Sequence, residues 1–442
     1  MSFRPIALLV ALSLAWPVQA QQPPVQPPPA AEAAPPEAGP VDDPEAASAP
    51  SRQVPLAEIR RFVSVYNAIR EAYVEPVADE RLMHAALRGL LLDLDPHSVY
   101  FDAEAARDFD QDAAGAYEGV GLELQQQPGP VLKIIAPIEG GPGDRAGLRS
   151  GDLIITIDGK PITMDDGSTP LRGETGTPVR LGIQREGREK PFDVTLVRER
   201  IRLQSVRGRM LEPGYGHVRI SSFQSATGED FGKAVDALKA EAGGRLRGLV
   251  IDLRSNPGGL LSAAVKIADD LLEEGVIVTT RGRIKGGDII NRAIAGDRIG
   301  GAPVVVLVDA GSASASEVLA GALRDHGRAR VVGSRTFGKG SVQTVLPLDN
   351  GDAVKLTTAR YYTPSGRSIQ GVGILPDVLL HAEEGAEARA PMSEATLPGH
   401  LVGEEEGEPM AGENAGEVLP GNAPLEAALA ELKRLAGKPA PR

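Results

Sequence analysis

The chain has 442 residues, a formal net charge of −13 and no cysteine. The lack of cysteine excludes a disulfide framework, a cysteine nucleophile and a lipid anchor on an amino-terminal cysteine. The acidic balance, with no basic patch carrying interleaved aromatics, argues against a nucleic-acid partner, and the length suffices for several domains with cores of their own.

Met1 to Ala20 carries a basic residue at Arg4, an apolar run from Ile6 to Trp16 and the small-residue pattern Val18-Gln19-Ala20, which together read as a secretory signal peptide. That run is too short to span a bilayer and no later stretch comes closer, so no transmembrane segment is expected. From 21 to 52, ten prolines among Ala, Gln and Glu predict an extended, disordered linker.

At Val54 the pattern turns helical. Ile59, Phe62, Val63, Ile69 and Tyr73 recur on one face, and a second apolar run covers Leu82 to Leu94. Leu94-Asp95-Pro96-His97-Ser98 closes this pair, and His97, an isolated histidine after a helix, reads as structural. Further on, Gly119-Val120-Gly121-Leu122-Glu123-Leu124 and Ala146-Gly147-Leu148-Arg149-Ser150-Gly151-Asp152-Leu153-Ile154 resemble the two signature elements of a PDZ domain, spanning about Ala116 to Val197. In such a domain loop amides hold a peptide's carboxyl terminus while its backbone adds a strand to the sheet edge. The resemblance implies that role for Gly119, Val120, Gly121 and Leu122. The helix that should wall the groove falls near Met164 to Leu171, where Gly167 and Pro170 disfavour a helix interior, so a distorted groove is expected.

Strand-like and helix-like stretches then alternate: 216–220, 227–241, 248–253, 260–273, 276–281, 304–308, 314–325 and 330–333. Such alternation predicts an α/β layer fold. The most informative part runs from Val304 to Gln343: an apolar run, a small-residue turn with Ser312, Ser314 and Ser316, a helical stretch, a second apolar run, and Lys339 bracketed by Gly338 and Gly340. A serine hydroxyl is a weak nucleophile until a base takes its proton. A lysine, ordinarily titrating near 10.4, serves as that base only when burial brings it to roughly 7–8. Lys339 is therefore expected to be buried. Ser314-Ala315-Ser316-Glu317 also fits a capping box, and on those four residues alone a helix cap is the simpler reading. A second turn, after the apolar run Leu249 to Leu253, holds Gly258 and Gly259. One of their amides, with that of Ala315, would suit a developing oxyanion.

Together, DLRSNPGGLL from Asp252, GSASASE from Gly311, GSRTFGKGSVQ from Gly333 and YYTPSGRSIQGVGILPD from Tyr361 resemble the carboxyl-terminal processing peptidases, tail-specific proteases with a Ser-Lys active site. The resemblance runs from about Val54 to His381 and displaces the helix-cap reading. It implies Ser314 as nucleophile, Lys339 as general base and Gln343 as the residue orienting that lysine, with no cofactor or metal. Asp325 is expected to support the fold, and Leu94 to Ser98 looks like the element closing the family's helical region. The implied architecture is a multidomain α/β protein: a crotonase-like protease core with an inserted PDZ domain and an N-terminal helical region. The expected segments are a signal peptide (1–20), a linker (21–52), a helical region (53–115), a PDZ domain (116–198), a protease core (199–382), an acidic disordered tail (383–422) and a C-terminal helix (423–442).

The tail carries ten glutamates against one arginine, a composition of disorder. Leu425, Leu429, Leu432 and Leu435 then form a helical stripe that needs cover, from the body or from a second subunit. The expected activity is that of an endopeptidase trimming or degrading exported proteins from their carboxyl-terminal region, with PDZ recognition or gating. Substrates would have apolar carboxyl termini, an activator or adaptor and a homo-oligomer are compatible with the family, and the compartment would be a bacterial periplasm or a Gram-positive exterior. Two other readings stand beside it. One is a PDZ scaffold with a silent protease-like core, opposed by the intact Ser314, Lys339 and Gln343. The other is a Ser-His-Asp protease, opposed by the absence of a triad motif around any of the six histidines.

Overall fold

The computed structural model of the protein describes residues 54–127, 129–162, 169–283, 288–382, 393–404 and 416–437. The signal-peptide and linker readings lie outside them, as do 383–392 and 405–415 of the expected tail. The chain divides into two bodies, one through Pro76 and one from Val77. The first contributes the helix Leu56–Ala72, with Pro55 at its N-cap and Ile59, Phe62, Val63 and Ile69 at the spacing read from the sequence.

In the second body a six-stranded sheet has the order Val206–Glu212, Tyr215–Ile220, Gly248–Asp252, Val304–Val308, Ala329–Gly333, Val378–Leu379. The first pair is an antiparallel hairpin and every later pairing is parallel. Side chains alternate across each strand. Leu249, Ile251, Val304 and Val306 therefore share a core with Phe231 and Val235 of the helix Thr227–Glu241, Ala264 and Ile267 of Leu261–Asp269, and Leu319 and Leu323 of Ala315–Asp325. Val250, Val305, Leu307 and Val332 point the other way, onto Leu425, Ala428 and Leu432 of the helix Ala423–Ala436. Two covered faces explain why these strands read as unbroken apolar runs. They also settle what covers the C-terminal leucine stripe: the body of the same chain.

A second, antiparallel sheet is built on Ala353–Tyr362, which pairs with Val99–Phe101, Ser341–Pro347 and Val276–Gly282. Ile289–Arg292 lies beyond the last of these. The stretch resembling a PDZ domain has a sheet of its own, Leu122–Gln126, Leu132–Pro137, Leu153–Ile157, Pro178–Gln184 and Phe192–Val197, around Ile134, Ile154, Leu181 and Ile183. It is flanked by Ala116–Gly119, paired antiparallel with Glu199–Arg202. Of the expected groove wall at 164–171, only Thr169–Leu171 is described, as a single 3-10 turn.

Two pieces of the region expected to be a disordered tail, 393–404 and 416–422, run along the core. Glu394 N–H donates to Phe337 O at 2.9 Å, Ala310 N–H to Glu417 O at 3.0 Å, and Leu419 N–H to Asp309 at 3.2 Å. Composition averages over the segment, whereas Glu394 and Leu419 are buried singly, each against its own partners. Among the described residues no helix is long and apolar enough to cross a membrane.

Candidate active site

The three serines of the turn after Val304–Val308 have different fates. Ser312 Oγ donates to Leu253 O at 2.8 Å and accepts from Asp309 N–H at 2.9 Å, and Ser316 Oγ donates to Asn256 O at 3.0 Å. Both are fully buried, with 0% exposure, and tie the turn to the neighbouring 253–256 loop. Ser314 alone reaches the surface, at 7%, and carries φ 55° and ψ −113°. A non-glycine residue there is strained by about 1–3 kcal/mol and persists only when its surroundings hold it. Glu317 holds it from one side, accepting Ser314 N–H at 2.8 Å, and Gly258 from the other, where an added Cβ would fall 2.8 Å from Ser314 Cβ. The Ser314 hydroxyl lies against the Tyr361 phenol, which burial pushes up to about 12 while that contact works to lower it.

Glu317 is the hub of the site. Besides Ser314 N–H, its carboxylate accepts Gly338 N–H at 2.7 Å, Lys339 N–H at 2.9 Å and the Thr336 hydroxyl, so one fully buried side chain clamps the serine turn to the lysine loop. Burial pushes Glu317 up to about 7, and the four donors oppose the rise without cancelling it. The glycines of the loop are steric necessities. Gly338 has φ 94°, and a Cβ on Gly340 would fall 2.2 Å from Gln370 N.

Lys339 is half-buried. Burial drives it below the ordinary lysine value and the Lys355 ammonium adds to this, while Glu394, Glu317 and Asp95 pull the other way. Among the described residues no hydrogen bond joins its amine to Ser314 or to Gln343. The Gln343 amide instead donates to Ser341 Oγ at 3.0 Å and Thr357 Oγ1 at 3.3 Å. Of the two glycines near the nucleophile, Gly258 already donates to Asn256 Oδ1 at 2.9 Å, whereas the amides of Gly259 and Ala315 have no partner among the described residues. Asp325 accepts Ser365 N–H at 3.0 Å, anchoring the 363–366 turn.

No histidine bonds to Ser314 among the described residues. His217 faces Asp252 at 3.4 Å, His326 bonds Val276 O, and His97 Nε2 lies 2.8 Å from Glu394. Nor does any group of three His, Asp or Glu side chains there suit a metal ion. Sequence reasoning gave Glu317 only a capping role and gave Tyr361 and Glu394 none. The glutamate three residues after Ser314 was the one available signal.

In the stretch resembling a PDZ domain, Val120 and Leu122 are buried in its core, Gly119 ends the strand from Ala116, and Gly121 has φ 67°. The amides of Gly121 and Leu122 lie against the Tyr117 hydroxyl, which burial raises and those contacts and Arg172 lower. A cavity of ≈ 880 Å³ beside this loop is lined by Tyr117, Leu122, Leu171, Arg172, Arg202 and Arg207.

Comparison with known proteins gives this geometry a context. The profile of Peptidase family S41 matches residues 214–380, that of a PDZ domain 133–185, and that of the activating protease CtpB N-terminal domain 34–105. A carboxy-terminal-processing protease of Bartonella bacilliformis is 41% identical over 81% of this chain and 84% of its own length. The carboxy-terminal processing protease CtpA of Bacillus subtilis is 33% identical over 71% of this chain and 67% of its own. A solved photosystem II D1 C-terminal processing protease shares 33% identity over 73% of this chain and 93% of its own, with a TM-score of 0.44. On the strength of the first relative and the family profiles, the chain belongs to the S41 carboxyl-terminal processing peptidases and is a serine-type peptidase that carries a PDZ domain.

Proposed function

We propose that the protein is a Ser-Lys endopeptidase acting on the carboxyl-terminal region of exported proteins, its PDZ domain inserted beside a crotonase-like core to recognise or gate the substrate end. The observation that carries this reading is the Glu317 clamp, which fastens the Ser314 turn and the Lys339 loop to one carboxylate. Ser314 Oγ attacks the scissile carbonyl while Lys339 Nζ takes its proton. The amides of Gly259 and Ala315 hold the oxyanion. Lys339 then returns the proton to the leaving amine, and water resolves the acyl-enzyme. Because the hydroxyl rests on Tyr361, catalysis requires it to rotate to the lysine, and Gln343 to turn from Thr357 if it is to steady that amine. Export to a bacterial periplasm belongs to the same reading and is supported by the composition of residues 1–20.

The test is cleavage of an unfolded protein bearing an apolar carboxyl terminus. Ser314→Ala and Lys339→Ala are each expected to abolish cleavage, Ser314→Ala while keeping peptide binding, and no single histidine variant should abolish it. Full activity in Lys339→Ala would overturn the proposal, as would a silent wild type that binds the peptide yet never labels at Ser314 with a fluorophosphonate.

A further inference from the structure

We infer that Glu394 is a positioning residue for Lys339, and that the segment 393–404 is a brace laid across the lysine loop. This rests on the Ser-Lys reading above. Glu394 opens a short 3-10 turn, Glu394–Thr396, and is fully buried. Its N–H donates to Phe337 O at 2.9 Å, so the segment grips the lysine loop by main chain. Its carboxylate accepts from Gln370 Nε2 at 3.0 Å and lies 2.8 Å from His97 Nε2. The Gln370 carbonyl in turn accepts Gly340 N–H at 3.0 Å, and Gly371 N–H donates to Gly338 O at 2.9 Å. The loop is thus held at residues 337, 338 and 340, on both sides of Lys339.

The far end of the brace is the turn from Asp95 to Ser98. Asp95 accepts the amides of His97 at 2.8 Å and Ser98 at 2.9 Å and the Thr357 hydroxyl at 3.1 Å, while Gln343 donates to that same Thr357. Two lines therefore run from this turn to the lysine's neighbours, through Glu394 and Gln370 to Gly340, and through Thr357 to Gln343.

A buried carboxylate is costly, and an apolar side chain would brace the loop at less cost. His97 and Gln370 give a carboxylate partners there, and its nearness to Lys339 gives it a second use. The charged groups facing Lys339 are Glu317 from the nucleophile helix, Lys355 from the strand Ala353–Tyr362, Asp95 from the turn and Glu394 from the brace. Lys355 and burial favour the neutral amine, and Glu394 is the first of the carboxylates opposing them. A base that must also return its proton to the leaving group gains from that opposition, since it limits how far burial lowers its basicity. Glu394 itself faces His97 and Gln370.

The full chain with 13C-labelled lysine provides the test, with the Lys339 Cε resonance assigned by its loss in Lys339→Met. Glu394→Gln keeps the shape and removes the charge. Its Lys339 titration is expected to move to lower pH, and the acid limb of kcat/KM to move the same way, with KM within roughly twofold of wild type. Glu394→Ala, which breaks the brace, should lower kcat by roughly 10²-fold. An unmoved lysine titration in Glu394→Gln would overturn the inference, and that variant decides even where the alanine variant fails to fold. If Ser314→Ala or Lys339→Ala still cleaves, the Ser-Lys reading falls by itself, whatever Glu394 does.

Discussion

At the residue scale the arrangement turns on Glu317, because four donors converge on one carboxylate: three backbone amides and the Thr336 hydroxyl. Glu317→Gln replaces one acceptor oxygen by an amino group that must face a donor. An unsatisfied buried donor costs about 1–3 kcal/mol. A shift of the lysine loop by ~1 Å would cost roughly 10²-fold in rate, so kcat should fall far more than KM rises. The pH dependence has a definite sign. Burial raises Glu317 from its ordinary 4.5 to about 7, so its contribution to stability is fully present below 4.5 and is lost as the pH rises through about 7. The glutamine variant cannot titrate there. Its stability deficit relative to wild type should therefore be largest near pH 4.5, shrink up to about 7 and then level off. Urea midpoints measured at one-unit pH intervals check this, and a deficit that widens across the window would refute it.

At the element scale, what was legible depended on how many faces an element buries. The strands 248–252 and 304–308 are covered on both sides and announced themselves as apolar runs, and the helices between them carried ordinary periodicity. The strands 341–347 and 353–362 are mostly half-exposed, so their patterns are mixed and the sheet built on them went unread. Asn350-Gly351 between them was a usable hairpin signal. The serine and lysine were legible as motifs, but Glu394 was not, because it acts by a contact nearly three hundred residues distant in sequence, with His97. The C-terminal helix shows the same logic in reverse: its leucine stripe was clear and its docking face was not. Leu432 lies fully buried on the sheet, and a Cβ at Gly248 would come within 2.8 Å of it. Leu432→Ala should destabilise by about 2–5 kcal/mol, read as a lower unfolding midpoint, since the glycine beneath offers nothing to refill the space. Removing the helix from 423 onward should expose Val250, Val305, Leu307 and Val332 together and cause aggregation.

At the scale of the whole molecule, a chain of net charge −13 holds a cavity whose lining includes Arg172, Arg202 and Arg207. Asp112, Glu123 and Glu139 share that lining, so its formal charges cancel, and at about 0.1 M salt charges beyond ~10 Å are screened; attraction for a carboxylate therefore rests on which single guanidinium can reach it. Arg172 also reaches outward, pairing with Asp108 of the helix Ala103–Ala114 at 3.0 Å. Both side chains are more than a third exposed, and such a pair is worth about 0–1 kcal/mol, so an incoming carboxylate can draw the guanidinium away. A peptide carboxylate that entered the cavity and took Arg172 from Asp108 would couple its binding to a helix outside the PDZ domain. A labelled peptide with an apolar carboxyl terminus, titrated onto Ser314→Ala protein by fluorescence anisotropy, should bind about tenfold more tightly with a free carboxylate than amidated, as a charge-assisted hydrogen bond of about 1.5–3 kcal/mol requires. Arg172→Gln should remove most of that difference and leave the amidated peptide unaffected. Equal binding of the free and amidated peptides to the unaltered cavity would mean that the arginines serve the fold alone.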